Sequence, residues 1–222
     1  MSIEQLKSNP IAFMESNIIK VTYNNSNAGL VRLKLQKATV PGKIIDSKGK
    51  KIGDCNIYEL KEGDSGKDSI NAYWCPYDNN SVHSVTVHNK ADFMFTPRMN
   101  GCSFGVSSPS KDGAVRVAHA NTQDNKELDQ IEKAMQKLDY TKGIPPEMNR
   151  LRFLQQVAQQ KAQKGQLSTE LDGDLAQYLS TSMYQNLELT TFGVRNSSNK
   201  WSFYFQGRVG ETLYGCFPFQ AS

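Results

Sequence analysis

Cysteine and histidine are scarce in this chain, with four cysteines and three histidines among 222 residues. The cysteines are scattered, with no Cys-x-x-Cys pair and no Cys/His ladder at zinc spacing, so the sequence predicts no metal site. A disulfide framework is not expected in a chain of this length and apolar content. A working thiol needs a reducing compartment, and we therefore expect a cytosolic site of action.

Long apolar runs are also absent, so the sequence predicts no membrane span. Residues 1–7 lack the apolar stretch of a secretory signal peptide, and any export is expected to use a route that the sequence does not display. The composition, with 38% hydrophobic and 22% charged residues, is typical of a folded globular protein.

The net charge of +4 is too small to indicate a nucleic-acid partner. The basic residues are unevenly placed, however, because segment 32–51 has seven of them against Asp46 alone, which gives 7 − 1 = +6. The simpler interpretation is a solvated hairpin with its basic side chains outward, and the alternative is a docking patch for an acidic partner. The seven residues are Arg32, Lys34, Lys37, Lys43, Lys48, Lys50 and Lys51.

Hydrophobic periodicity divides the chain into a β-rich part, a helical part and a β-rich end. A helix is expected over 2–16, interrupted or restarted at Pro10. Apolar spacing predicts helices over 125–140, 147–164 and 169–184. Together these patterns favour one α+β domain over 1–222, with mixed sheets and helices packed outside. Strands are expected at 18–23, 30–35, 43–46, 56–60, 70–74, 82–88, 93–96, 102–106, 114–120, 190–195, 200–206 and 212–219.

The two predicted strands 102–106 and 114–120 are separated by a run of turn-forming residues, 107–113. If they form an antiparallel hairpin that closes near Ser110 and Lys111, facing residues sum to 221, which places Cys102 opposite His119. Directly opposed Cβ atoms lie about 4.5–5.5 Å apart, a separation that suits a thiol–imidazole pair. The register is an assumption of this prediction.

A thiol beside an imidazole is the requirement for cysteine nucleophilic catalysis. An imidazolium at His119 is expected to lower the pKa of Cys102 and then to protonate a leaving amine. Gly101 leaves room for backbone N–H groups to approach an oxyanion. Thr96, Asn100 and Ser103 are candidates to orient the imidazole or to donate to that oxyanion.

Met99-Asn100-Gly101-Cys102 resembles the Leu-Ser-Gly-Cys motif of the cytotoxic necrotizing factor and Burkholderia lethal factor deamidases. In those proteins a histidine follows the cysteine by a strand-sized interval, as His119 does here. A threonine six residues before the cysteine, like Thr96 (102 − 96 = 6), also marks the lethal-factor type and the related chemotaxis-receptor deamidases. Met99 and Asn100 depart from the motif's Leu and Ser, and the resemblance covers only about 96–119.

This resemblance implies a fold, a sandwich of two mixed β-sheets flanked by helices. It also implies a reaction, conversion of a protein glutamine to glutamate with release of ammonia and without a cofactor. The catalytic residues would be Cys102, His119 and Thr96, with Gly101, Ser103 and Asn100 forming the oxyanion and substrate pocket.

The biology implied by the resemblance is that of a bacterial effector, secreted or delivered without a recognisable signal peptide, that acts in a host cytosol. Its substrate would be a Rho-type GTPase or an RNA helicase of translation initiation. We expect a monomer that binds neither nucleic acid nor a membrane.

Three other functions remain open. A chemotaxis-receptor deamidase would share Thr96, Cys102 and His119, although such proteins are usually shorter and more strand-dominated than this chain. A thiol protease is disfavoured because Gly101–Phe104 does not fit the papain signature. A non-catalytic binding module could use the basic 32–51 face, and it would show a sluggish thiol.

Overall fold

The computed structural model of the chain describes residues 2–45, 50–66, 68–79, 81–99, 102–121, 140–141 and 187–219. Of these residues, 57% lie in strands and 9% in helices. The fold is therefore mostly β, and the prediction of an α+β sandwich flanked by helices is wrong.

Two short helices open the described chain, α1 over Ser2–Ser8 and α2 over Pro10–Ser16. The carbonyl oxygen of the Asn9 side chain accepts a hydrogen bond of 3.3 Å from the Ala12 amide, and Pro10 occupies the first turn of α2. Proline fits there because the first helical N–H groups have no partner within the helix. The predicted interruption at Pro10 is confirmed.

The described residues then form thirteen strands, each matching or overlapping a predicted one except β10, which was not expected. Their bounds are β1 Asn17–Val21, β2 Gly29–Lys37, β3 Gly42–Ile45, β4 Lys51–Glu62, β5 Ser69–Trp74, β6 Ser81–Val87, β7 Phe93–Phe95, β8 Ser103–Ser107, β9 Val115–Asn121, β10 Tyr140–Thr141, β11 Glu188–Arg195, β12 Trp201–Val209 and β13 Thr212–Pro218.

Eight of these strands close into a barrel in the order β4-β2-β5-β7-β11-β12-β13-β3, with β3 pairing back to β4. Most neighbours are antiparallel, but β5 with β7 and β13 with β3 are parallel. The first half of β4 pairs with β3, and its second half pairs in parallel with β1. Closure gives each barrel strand two hydrogen-bonded neighbours, so these strands present no free edge.

The barrel interior is filled by side chains. Alternate residues of its strands point inward and join apolar side chains of α1 and α2, so the two helices cover the inward-facing residues. We call this group the inner cluster, and its buried members are Ile3, Leu6, Phe13, Met14, Ile19, Tyr23, Leu33, Tyr58, Leu60, Ile70, Ala72, Trp74, Phe93, Phe95, Phe192 and Cys216.

Gln206 ties α2 and β1 to the barrel. Its buried side-chain amide donates hydrogen bonds of 2.6 Å and 2.7 Å to the carbonyl oxygens of Met14 and Asn17, and its oxygen accepts one of 2.8 Å from the Ile19 amide. A buried amide needs such partners, because leaving them unmade costs about 1–3 kcal/mol each.

A second sheet, in the order β10-β8-β9-β6, packs on the outside of the barrel. The apolar side chains between the two layers come from the outward-facing positions of barrel strands and from one face of the second sheet. We call them the interlayer cluster, with buried members Tyr73, Cys75, Val85, Val87, Ala91, Met94, Met99, Cys102, Phe104, Val115, Val117, Leu187, Leu189, Phe203, Phe205 and Phe217.

The expected sandwich fails because β3 closes the larger sheet. Lys43 and Ile44 pair in parallel with Thr212 and Leu213, far away in sequence, and no local pattern announces such a pairing. The helices predicted over 125–140, 147–164 and 169–184 lie outside the described residues, except that Tyr140 begins β10. No helix in the described part of the chain is long and apolar enough to cross a membrane.

Candidate active site

Thr96 and His119 meet between the barrel and the second sheet. Thr96 directly follows β7 of the barrel, and His119 lies in β9 of the second sheet. The Thr96 hydroxyl lies 2.6 Å from His119 Nδ1, with 0% and 1% of the two residues exposed. Because one imidazole nitrogen bonds to Thr96, the ring has a fixed orientation and Nε2 is the nitrogen left for chemistry.

Cys102 and His119 share one face of the second sheet, although not in the predicted register. The residue opposite His119 is Phe104, so facing residues sum to 223 and not to 221. A shift of two residues preserves the face. Cys102 immediately precedes β8. It packs in the interlayer cluster together with Phe104 and Val117. Val117 lies two residues before His119. Cys102 is thus a diagonal neighbour of His119, at a typical Cβ separation of about 7–8 Å or somewhat less.

The turn between β8 and β9 sets this register. The Gly113 amide donates to the Ser110 carbonyl at 2.9 Å, and the Ser110 amide donates to the Ala114 carbonyl at 2.8 Å. Gly113 has φ +81, a left-handed conformation that glycine adopts without strain. This bulged turn is centred further along the chain than the closure at Ser110 and Lys111 that the sequence suggested.

The segment that leads to Cys102 is fastened to the barrel through Met99. Its backbone N–H and C=O bond to Leu189 at 2.8 Å and 2.9 Å. The Thr191 hydroxyl donates to the Met99 sulfur at 3.0 Å, and Met99 is only 1% exposed. Met99 therefore anchors the chain three residues before the thiol.

Cys102 lines a cavity of about 330 Å³, which we call the thiol cavity. Its other lining residues are 21–24, Tyr77, Pro97 and Arg98. Cys102 is 5% exposed and is not in a disulfide. The thiol is therefore shielded from bulk solvent and borders a space large enough for an extended side chain such as that of glutamine.

Tyr77 covers the imidazole. Its ring centroid lies 5.1 Å from that of His119, and its hydroxyl donates to Asn79 Oδ1 at 2.7 Å. Burial first, and then the charge of Cys102, raise the pKa of Tyr77. Tyr77 thus contacts His119 and lies near the thiol. Sequence analysis missed it, because a tyrosine in an irregular loop after β5 carries no pattern.

Burial dominates the electrostatics of His119. Removal from water, and to a lesser degree the charge of His83, lower the pKa of His119 from 6.5 to about 3. Its Nε2 has no hydrogen-bond partner among the described residues. The imidazole is therefore neutral at neutral pH, whereas the sequence analysis expected an imidazolium. A neutral ring can still act as a general base toward the Cys102 thiol.

His83 lies directly opposite His119 in the pairing of β6 with β9. Its Nε2 lies 3.1 Å from Asp78 Oδ2 and 3.4 Å from the Ser81 hydroxyl. Opposed residues of an antiparallel pair share a face, so His83 and Asp78 flank the imidazole on the side of β6. The sequence pattern assigned neither of them to the site, because only the pairing of β6 with β9 brings them there.

The other three cysteines are poor nucleophiles. Burial raises the pKa of Cys75 to about 12, and it also raises the pKa of Cys55 and of Cys216. The Cys75 thiol donates to the His83 carbonyl at 3.4 Å. We therefore expect these three thiols to react slowly.

The predicted oxyanion residues are only partly described. Asn100 and Gly101 lie outside the described residues, and the role assigned to them stays a prediction. Ser103 begins β8 and pairs with Ala120, while its side chain lies outside the description. Among the described residues, no group of three or more His, Cys, Asp or Glu could hold a metal ion.

The basic residues of segment 32–51 are spread over three strands. Arg32, Lys34 and Lys37 lie on β2, Lys43 on β3 and Lys51 on β4. Arg32 bonds to Asn71 at 3.3 Å, and Lys51 pairs with Asp54 at 2.6 Å. Lys48 lies outside the described residues.

Comparison with known proteins assigns no family to the chain. No protein-family model matches it, and neither does any curated protein sequence. The geometry around Cys102 and His119 is therefore what indicates a function.

Proposed function

We propose that the protein is a glutamine deamidase of the bacterial toxin type, which converts a glutamine of a host protein to glutamate. The observation that carries this proposal is the buried hydrogen bond between Thr96 and His119. This hydrogen bond engages His119 Nδ1. It leaves Nε2 to act as the base, on the face of the second sheet that also holds Cys102. A structural histidine would be expected to have both nitrogens bonded when buried, and His119 Nε2 has no partner among the described residues.

Acylation begins when a glutamine side chain enters the thiol cavity. His119 Nε2 takes the proton of the Cys102 thiol while the sulfur attacks the carboxamide carbon. The resulting imidazolium is stabilised by the negative tetrahedral intermediate beside it, and Nδ1–H donates to the Thr96 hydroxyl. His119 then gives its proton to the departing nitrogen, ammonia leaves, and a thioester to Cys102 remains.

Deacylation uses the same groups in reverse. His119 Nε2 takes a proton from water as the water oxygen attacks the thioester carbon. The tetrahedral intermediate collapses, the carbon–sulfur bond breaks, and the proton returns to the Cys102 sulfur. The sum is carboxamide plus water to carboxylic acid plus ammonia, with no cofactor or metal consumed.

The proposed setting is the cytosol of a host cell, in which the protein would act as a bacterial effector. The proposed substrates are a Rho-type GTPase or an RNA helicase of translation initiation. The enzyme is proposed to act as a monomer, independently of nucleic acid and membranes.

The test compares eukaryotic cell lysate treated with wild type, with Cys102→Ser and with Cys55→Ser. Cys55→Ser is the matched control, because it removes a thiol on β4 that does not line the thiol cavity. Peptide mass spectrometry is expected to find one glutamine converted to glutamate by wild type and Cys55→Ser only. Equal spectra for all three samples, with the proteins folded and Cys102 reduced, would count against the proposal.

A chemotaxis-receptor deamidase is the second candidate. The high strand content of the described residues favours it, because receptor-type deamidases are expected to contain more strand than the toxin type, whereas the helices predicted within 125–184, outside those residues, favour the toxin type. Incubation with the cytoplasmic fragment of a bacterial chemoreceptor, followed by the same mass measurement, separates the two. Conversion of receptor glutamines without conversion in host lysate would select the receptor function.

A further inference from the structure

Arg98 is the only charged residue among the described residues that line the thiol cavity. It follows Thr96 by two residues and shares the cavity wall with Cys102 and Tyr77. Its charge reaches into the cavity, because it lowers the pKa of Tyr77 against the larger effects of burial, Cys102 and Asp78. A side chain that enters the cavity therefore meets a guanidinium close to the nucleophile.

The charged side chains around Arg98 leave an excess of positive charge. Glu188 Oε1 accepts from Arg98 Nη1 at 2.7 Å, and Glu188 Oε2 forms an ion pair with Arg208 Nη2, although without hydrogen-bond geometry. Glu211 also acts on Arg208 but is itself paired with Lys20 at 2.9 Å, so two carboxylates face three cations. Arg208 is 7% exposed, whereas the Arg98 side chain is 65% exposed, so the uncompensated positive charge is offered at Arg98.

A guanidinium has five N–H donors in a planar fork that matches a carboxylate. Glu188 engages Nη1 of Arg98, which fixes one edge of the group against β11. We infer that Arg98 makes the enzyme selective for glutamines that have an acidic residue beside them. This inference rests on the proposed deamidase function and adds the substrate class, an acidic segment of a protein.

Another role for Arg98 would affect all substrates alike. If the guanidinium stabilised the Cys102 thiolate or the oxyanion, its loss would lower kcat for every glutamine, whatever its neighbours. A reversal of charge separates the two roles, because only a selectivity residue can transfer the preference from acidic to basic neighbours.

The experiment uses three peptides, each with one glutamine flanked by two glutamates, two alanines or two lysines. Ammonia release gives kcat/KM for wild type, Arg98→Gln, Arg98→Glu and Arg32→Glu. Arg32→Glu is the matched control, since it changes net charge as Arg98→Glu does but lies on β2 and does not line the thiol cavity.

Wild type and Arg32→Glu are expected to prefer the glutamate peptide over the lysine peptide by about fivefold, the size of a partly exposed ion pair. Arg98→Gln is expected to lose the preference, so that its kcat/KM values for the glutamate and lysine peptides become equal. Arg98→Glu is expected to reverse it. Arg98→Glu places a second carboxylate beside that of Glu188, and this repulsion disfavours folding. If Arg98→Glu does not fold, Arg98→Gln alone still decides the test.

Three results would overturn the inference. Equal kcat/KM values of wild type for the glutamate and lysine peptides would refute the selectivity while leaving deamidation intact, and so would a uniform loss in Arg98→Gln. Absence of ammonia release from all three peptides and of glutamine conversion in lysate would refute the proposed function and this inference with it.

Discussion

Thr96 and His119 are 23 residues apart in sequence, yet their side chains share a hydrogen bond of 2.6 Å in the interior of the protein. The threonine belongs to the end of a barrel strand, and the histidine belongs to the sheet that covers the barrel. The candidate site therefore exists only where these two layers meet.

Replacing Thr96 by valine removes the hydroxyl and keeps the shape. We expect kcat for glutamine deamidation to fall at least about tenfold, because the imidazole loses the partner that fixes its orientation. Stability should fall by about 1–3 kcal/mol, because Nδ1 stays buried without a partner. Urea unfolding and ammonia release measure the two effects, and Thr96→Ser should restore both. A valine variant with wild-type kcat would show that the hydroxyl has no orienting role.

The reactivity of the cysteines should follow their surroundings. We expect iodoacetamide at neutral pH to label Cys102 first, because it lines a cavity and has an imidazole base nearby, whereas burial raises the pKa of the other three. His119→Gln should slow this labelling by about tenfold. Peptide mass spectrometry over a time course measures it. Faster labelling of Cys55 than of Cys102 would contradict the assignment.

Acid should destabilise the protein through His119. The folded-state pKa, about 3, lies below the ordinary value of 6.5. The unfolded chain therefore binds a proton that the folded chain does not, and stability falls as pH drops from about 6.5 toward 3. We expect His119→Gln to make the free energy of unfolding less dependent on pH, because the variant lacks the side chain that takes up one proton on unfolding. Urea titrations from pH 7 to pH 4 measure the difference. His88→Gln is the control, because His88 bonds to Asn89 and Asp112, and an unchanged slope in His119→Gln would refute the buried neutral state.

Gly193 allows the aromatic ring of Phe203 to cross β11. A Cβ at Gly193 would lie 2.7 Å from Phe203 Cε1 and 3.3 Å from Met94 Cβ. We expect Gly193→Ala to reduce the free energy of unfolding by about 1–3 kcal/mol through overpacking. Gly53→Ala, at a position with nothing within 4 Å, is the control and should change it little. Equal stability of the two variants would mean that Phe203 moves aside without cost.

Local patterns predicted the strands well and their assembly poorly. Alternation and turn residues located β8, β9 and the hairpin between them, since these depend on neighbours in sequence. The register was off by two residues because the bulged turn at Gly113 depends on a backbone conformation that composition does not specify. Cys102 and His119 stayed on one face only because the error was even.

The barrel could not be predicted from the sequence, for a different reason. Its closure depends on the parallel pairing of Ile44 with Leu213, and long-range pairs leave no periodic signal. The same holds for Tyr77 and His83, which reach the site through pairings of distant strands. Thr96 was one of three candidates to orient the imidazole on its residue type and position, and the resemblance at 96–119 distinguished it from the other two.

The site is divided between two hydrogen-bonded sheets, so catalysis depends on whether the two sheets unfold together. Thr96 belongs to the barrel layer, whereas Cys102 and His119 belong to the layer of β8 and β9, and the interlayer cluster holds the layers together. If the outer layer opens as a separate unfolding unit, the barrel can persist while the nucleophile and base lose their alignment. Enzymatic activity then reports the separation of the two layers. It should be lost at a lower denaturant concentration than the one at which the signal of the barrel strands is lost.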